Sequence, residues 1–317
     1  MKLEKFSFDK KNIVPYGNMF LIGNGHLGYR GTLEEYRKEQ LVGLNVVGFY
    51  DKYQDKWRES VNLPNPFYVT VKDEFKTYSV LEEETIFHQV KLDISKAIFS
   101  RKSEFKNIII SSKRFLSCHN DQTLDLEYKI TSKIDNQLEV TIGLDLDLYE
   151  INGPHYITKE VFIENQTIYF YGTTNEGKKV TLSACYSFPR NTKIITRNNC
   201  QFIISIDAKK DKTYYFYCHC YVIENKHEKV TLKASKKGFL DELHAHSALF
   251  LKKFNFARVR IPSNKLADFS INYSIYHLLI LENEKYFTSI PARGLSGQVY
   301  KGAIFWDTEI FCSHFIH

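Results

Sequence analysis

Between about residue 32 and Lys229, apolar residues recur at every second position. Leu124, Leu126, Tyr128 and Ile130 form one stripe, Leu138, Val140, Ile142, Leu144, Leu146 and Leu148 a second, and Phe202, Ile204 and Ile206 a third. Successive side chains of a strand point to opposite faces, so each stripe predicts a strand with one buried face. Intervening polar residues such as Lys129 and Glu139 then form the solvated face. Asp135-Asn136, Asn152-Gly153-Pro154, Asn175-Glu176-Gly177 and Asn198-Asn199 supply turns between the runs. Many strands at short spacing, with few helical patterns, predict an antiparallel sandwich larger than an immunoglobulin domain.

Near Lys236 the period changes. Phe239, Leu243, His246, Phe250 and Phe254 repeat at helical intervals, with Gly238 near the start and Pro262 past the end. A helix is therefore expected over Lys236 to Arg260. After Pro262 a second helix follows, on which Leu266, Phe269, Tyr273, Tyr276 and Ile280 step by three and four as a core-facing stripe.

Length and composition fit this reading. The 317 residues exceed the usual size of a single core, which predicts two units. A hydrophobic content of 43% and an aromatic content of 15% exclude a disordered chain. The net charge of +6 comes from 43 basic and 37 acidic residues scattered through the sequence, so no stripe for nucleic acid is expected. The six cysteines are irregularly spaced, the first residues carry no apolar segment of signal-peptide length, and no run approaches membrane-spanning length. Reduced thiols and a cytoplasmic location, with no membrane partner, are the expectation.

Four groups of residues invite a chemical reading. Gly23, Gly25 and Gly28 spell G-x-G-x-x-G, but no βαβ pattern follows, so tight turns between strands explain them better than a dinucleotide. Cys218-His219-Cys220 would alternate across a strand, which keeps the three side chains from one metal ion, and no metal site is expected. His88, His119 and His155 stand without an acid partner at a suggestive spacing and read as structural. The fourth group is the run from Ser289 to Glu309, which packs Arg293, Lys301, Trp306, Asp307 and Glu309 among Gly294, Gly297 and Gly302. An indole beside a carboxylate is what a sugar subsite needs, the ring facing the C–H side of a pyranose and the carboxylate accepting from its hydroxyls. The competing reading is a loop whose Trp306 plugs the core.

Several blocks together resemble glycoside hydrolase family 65, the maltose, trehalose and kojibiose phosphorylases with their acid trehalase relatives. Gly23-Asn24-Gly25-His26-Leu27-Gly28-Tyr29-Arg30-Gly31 is similar to the family's opening GNGxxGxRG. Val46 to Asp51 and Glu59 to Asn65 resemble the next two blocks, and Ala292 to Gly297 with Phe305 to Phe311 resembles ARGLxGEGYxGHxFWDxExF. The resemblance implies a mainly β fold, a large antiparallel β-sandwich of the galactose mutarotase-like or supersandwich kind, followed by helices that begin an incomplete (α/α)6 barrel. It divides the chain into a sandwich at 1–234, a helical linker at 235–262 and the start of the catalytic barrel at 263–317. It implies an α-glucosyl disaccharide and inorganic phosphate as substrates of the complete enzyme, without a cofactor. Trp306 and Asp307 would contact the non-reducing glucose, and Arg293 and Lys301 would contact it or brace the loop. A homodimer, or association with the rest of the barrel, is the expected partnership.

The family chemistry is inverting. A carboxylic acid protonates the glycosidic oxygen while phosphate attacks the anomeric carbon from the opposite face, and hydrolase members use water instead. By the resemblance the acid lies past the WDxE motif, so no catalytic residue is expected in this chain, and Glu309 is not the acid. The chain also departs from the family pattern: Gln298 stands in place of glutamate, Val299 of glycine and Ala303 of histidine, and Cys312-Ser313-His314 replaces a more apolar run. Three readings follow: part of a split or frameshifted phosphorylase, inactive alone; a non-catalytic sugar-binding or oligomerisation module; or a decayed product with apolar stripes left exposed on Leu266 to Ile280.

Overall fold

The computed structural model describes residues 1–282, 285 and 289–306. These form three antiparallel sheets. The largest has nine strands in the order Lys2–Phe6, Phe87–Asp93, Ile98–Glu104, Ile108–Leu116, Thr123–Ser132, Thr213–Glu224, Lys179–Ser187, Thr167–Thr174, Tyr156–Glu164. A second sheet orders Lys193–Arg197, Gln201–Ala208, Asn136–Asp145 and Asn65–Lys72. A third, small sheet is built in chain order from Ile22–Gly23, Leu27–Tyr29, Leu44–Asp51 and Glu59–Leu63.

The two smaller sheets pack on one face of the large one, and the period-two stripes lie between them. Leu124, Leu126, Tyr128 and Ile130 are buried there, as are Leu138, Val140, Ile142, Leu144, Phe202, Ile204 and Ile206. Leu146 and Leu148 lie past the end of their strand and are only partly buried. Lys129 and Glu139 are half exposed, as the alternation predicts. Asp125 and Glu127 depart from it and are buried, because a helix covers that part of the opposite face. That helix, α2 (Lys236–Ala257), sets Phe239 against Phe115 and Tyr217 in a second, smaller core.

Helix α1 is the short Ile13–Met19 and α3 is Lys265–Leu279. The Ser235 hydroxyl accepts from the Gly238 amide to start α2, and Asn264 accepts from the Leu266 and Ala267 amides to start α3. Helix α2 ends at Ala257, three residues before the expected Arg260, where Arg258 turns extended ahead of Pro262. The stripe on α3 is only partly covered. Tyr276 and Ile280 are buried and Phe269 and Tyr273 partly so, but Leu266, on the first turn, is 75% exposed. Among the described residues no helix is long and apolar enough to cross a membrane.

Helix α3 docks on the glycine-rich opening block. The Tyr273 and Tyr276 hydroxyls donate to the Met19 and Leu21 carbonyls, both at 2.8 Å, and the Gly25 amide donates to the Ile280 carbonyl at 2.8 Å. Gly25 is at φ 87° in the turn between the first two strands of the small sheet, so the glycines do form the expected turn. Gly23 has a second reason to be glycine: a Cβ there would lie 2.9 Å from the Ile280 carbonyl oxygen.

Candidate functional site

The segment 289–306 lies on the small sheet, and each block singled out in the sequence holds part of it. A short helical turn, Gly294–Ser296, sits against Gly28, and Asn45 Nδ2 donates to the Leu295 carbonyl at 3.2 Å. Further on, the Ser60 amide donates to the Lys301 carbonyl and the Tyr50 hydroxyl to the Gly302 carbonyl, each at 2.7 Å. Gly297 is at φ 62° with the Asn45 amide close above it, a position that tolerates no Cβ.

Of the four residues named from sequence, the three that are described do not converge. Trp306 is 74% exposed and plugs no core formed by the described residues. Arg293 is exposed, its guanidinium 5.9 Å from the centre of the Tyr300 ring. Lys301 is fully buried and turns inward, with Nζ donating to the Tyr149 carbonyl at 3.3 Å. Burial lowers its pKa to about 8 against the opposing pull of Glu59 and Glu150. Asp307 and Glu309 lie outside the described residues. Beside the loop opens a cavity of about 590 Å³ between α1, α3 and residues 290–296, with Asn18, Tyr273, His277, Arg293 and Ser296 in its wall.

Behind that wall lies Arg30, buried and held by neutral groups. It donates to Asn18 Oδ1 at 2.6 Å, the Val14 carbonyl at 3.0 Å and Gln298 Oε1 at 3.4 Å, and Asn18 also donates to Gln298. Burial lowers the Arg30 pKa to about 10, and the nearby Arg293 acts in the same direction. Gln298 therefore faces a buried cation across the loop. Next to it Val299 is at φ 63°, a left-handed conformation that a β-branched side chain adopts only under strain. Val299→Gly is expected to stabilise the protein by about 0.5–1 kcal/mol, the strain relieved less the extra chain entropy of glycine. Urea titration would show this as a raised midpoint at unchanged slope.

The family model described as "Glycosyl hydrolase family 65, N-terminal domain" matches residues 3–250. The chain belongs to glycosyl hydrolase family 65. A second model, "Glycosyl hydrolase family 65 central catalytic domain", matches residues 272–316 and so covers the loop. The chain is 31% identical to nigerose phosphorylase of Lachnoclostridium phytofermentans, over 99% of this chain and 47% of that protein. It is 27% identical to 1,2-alpha-glucosylglycerol phosphorylase of Bacillus selenitireducens, over 97% and 42%. With kojibiose phosphorylase of Caldanaerobacter subterraneus it shares 26%, over 96% and 44%. The chain thus spans less than half the length of these relatives. A solved structure titled "Putative kojibiose phosphorylase from human microbiome" superposes with a TM-score of 0.82 at 16% identity, over 99% of this chain and 46% of that one.

The family 65 blocks also bring together charges that sequence reasoning missed. His155 has two acid partners, Asp51 at 3.0 Å from Nδ1 and Glu59 at 2.7 Å from Nε2, and all three side chains are fully buried. His119 also meets an acid, Glu242, at 3.3 Å. His88 instead pairs with Ser103 at 2.8 Å. Asp51 ends one block and Glu59 opens the next, but His155 lies about a hundred residues on, and no local spacing signals the contact. In Cys218-His219-Cys220 the two sulfurs lie 3.2 Å apart on one face, while His219 turns to the other and meets Asp125 at 2.8 Å. Among the described residues no group of three or more His, Cys, Asp or Glu is placed to hold a metal ion.

Proposed function

We propose that this chain forms the sandwich and one wall of the glucosyl subsite of a family 65 phosphorylase acting on α-glucosyl disaccharides, with inorganic phosphate as co-substrate. On this reading residues 1–234 are the sandwich, 235–262 the linker and 263–317 the start of an (α/α)6 barrel. The observation that carries it is the loop itself. Three sequence blocks meet its backbone, through Gly28, Tyr50 and Ser60, its indole is left open rather than buried in the core, and Arg293 faces a cavity large enough for a sugar.

Trp306 and Asp307 are the glucose contacts in this proposal, the ring taking the apolar face of the pyranose and the carboxylate its hydroxyls. Arg293 borders the same space. Lys301, turned into the sandwich, acts as the brace that fixes the loop. Phosphate would attack the anomeric carbon opposite a general acid, which the family pattern places after the loop rather than on it.

Two measurements test this. The purified chain, given nigerose, kojibiose, maltose or trehalose with phosphate, is expected to release no glucose 1-phosphate; release from any of them would overturn the non-catalytic role assigned to these residues. In a Trp57→Phe background, where Trp306 is the sole tryptophan, its fluorescence is expected to respond to millimolar α-glucosyl disaccharide. Trp306→Ala should weaken binding, measured by calorimetry, by about tenfold, the value of one aromatic contact. Unchanged binding would overturn the subsite.

A further inference from the structure

The buried histidine among the loop's supports has no place in sugar binding, yet its surroundings are tied to the loop twice. Both ring nitrogens of His155 face carboxylates, Asp51 Oδ2 and Glu59 Oε1. An ionised carboxylate only accepts, so each nitrogen must carry a hydrogen, and the clasped ring is an imidazolium. The two carboxylates are held from their other sides. Asp51 accepts from the Glu176 amide at 2.9 Å and Asn175 Nδ2 at 2.7 Å, and Glu59 accepts from the Ile151 and Asn152 amides at 3.0 and 3.1 Å.

The remaining charges around the clasp come from four directions. Glu150 Oε1 accepts from the His155 amide at 3.2 Å, and Lys301 lies in the field of Glu59 and Glu150 with its ammonium 5.3 Å from the centre of the Tyr149 ring. At the rim Arg58 pairs with Glu176, and Lys178 donates to the Tyr50 carbonyl at 2.7 Å. The links to the loop are made by the residues next to the two clasping carboxylates. Tyr50, beside Asp51, holds Gly302, and Ser60, beside Glu59, holds Lys301.

We propose that His155, clasped between Asp51 and Glu59, is a positioning residue for the Arg293–Trp306 loop, and that losing its proton loosens the loop. The effect on sugar binding rests on the subsite reading above; the effect on the loop does not. Neutral imidazole can donate from only one nitrogen, so the other must face a carboxylate lone pair to lone pair, and the strand ends carrying Tyr50 and Ser60 lose their anchor.

The sign follows from linkage. Burial alone would lower the His155 pKa, but Glu59 and Asp51 raise it above the usual histidine value. Its contribution to stability is therefore full below about pH 6.5 and is lost as pH rises through the raised value. Lys301 acts in the opposite sense, since its lowered pKa makes folding more favourable as pH rises from about 8 toward the ordinary lysine value.

The test is amide hydrogen exchange of the full chain, read as protection factors for residues 292–303 between pH 5.5 and 9.5, alongside an NMR titration of the His155 ring. Protection is expected to fall by about tenfold with a midpoint equal to that of His155, and in His155→Gln to show no such fall, only the rise above about pH 8 that Lys301 contributes. Flat protection in the wild type, a midpoint that differs from the His155 titration, or the same fall in His155→Gln would each overturn the proposal. The midpoint comparison needs only the wild-type protein, so it decides the matter even where His155→Gln does not fold. No sugar is present, so failure here leaves the Trp306 subsite standing, and failure of sugar binding leaves the pH step in place.

Discussion

Replacing Glu34 by glutamine is expected to cost about 3–5 kcal/mol of stability, because it strips the shared counter-charge from two buried arginines. Glu34 is fully buried, with Oε2 3.0 Å from Arg101 Nη1 and Oε1 3.0 Å from Arg114 Nη1, and Ser112 donates to Oε1 at 2.7 Å. Glu35 supplies the second carboxylate, facing Arg101 with both oxygens. Two acids thus balance two bases inside the sandwich. Burial alone would raise the Glu34 pKa, but Arg114 and Arg101 hold it below the ordinary value. Its contribution is therefore present above the unfolded pKa and lost as pH falls through the folded one.

After Glu34→Gln, Glu35 still faces Arg101 but Arg114 has lost its carboxylate, and neither guanidinium can be rehydrated. The urea midpoint should fall at constant slope, and Tm should drop by on the order of 10 °C. Adding Arg114→Met to Glu34→Gln should recover part of the loss, since the second change removes the orphaned charge. Lys38→Ala is the control: it breaks an exposed pair with Asp147 and is expected to change stability by less than about 1 kcal/mol. If the two single substitutions cost the same, the buried network is not what holds this part of the sandwich.

The second large effect is expected at Gly28. This glycine lies in the small sheet opposite Asn45, and a Cβ added to it would lie 2.7 Å from the Leu295 carbonyl oxygen and even closer to the Leu295 side chain. Gly28→Val cannot be relieved by a rotamer, because the clash begins at Cβ and its partner is the loop's own backbone. The sandwich should fold and the loop should lift away. An overpacking cost of about 1–3 kcal/mol placed on the closed loop raises the open population roughly 10- to 100-fold. Tryptic cleavage after Lys301, whose side chain is buried in the closed loop, should accelerate by that factor where opening is fast relative to cleavage. An unchanged cleavage rate would mean that the helical turn at Gly294–Ser296 does not rest on Gly28 in solution.

These two sites mark the boundary between local and long-range information in this sequence. The stripes at Leu124 to Ile130 and Phe202 to Ile206 carry their period on the chain itself, and so do the helices from Lys236 and Lys265, whose caps and flanking proline are also local. The glycine blocks and the Ala292 to Phe311 run were enough to place the chain in family 65 and to mark the loop. What the loop's residues do was a different matter. Lys301 and Trp306 sit five positions apart, and nothing local says that one turns into the sandwich while the other stays open.

Burial of polar groups was the least legible feature. Asp125 and Glu127 read as a solvated face until α2, more than a hundred residues later, covers that side. His155 read as a lone histidine because Asp51 and Glu59 are 104 and 96 residues away along the chain, and Glu34 finds Arg101 and Arg114 across 67 and 80. The three striped strand runs, the two long helices, the family and the loop's place in the chain were legible locally, since periodicity, caps and glycine spacing are properties of neighbouring residues. Which charges meet, and that Lys301 turns inward while Trp306 stays open, follow from the packing of elements far apart in the chain. An ion pair is fixed by distance in space, and that distance is set by how three sheets and a helix stack.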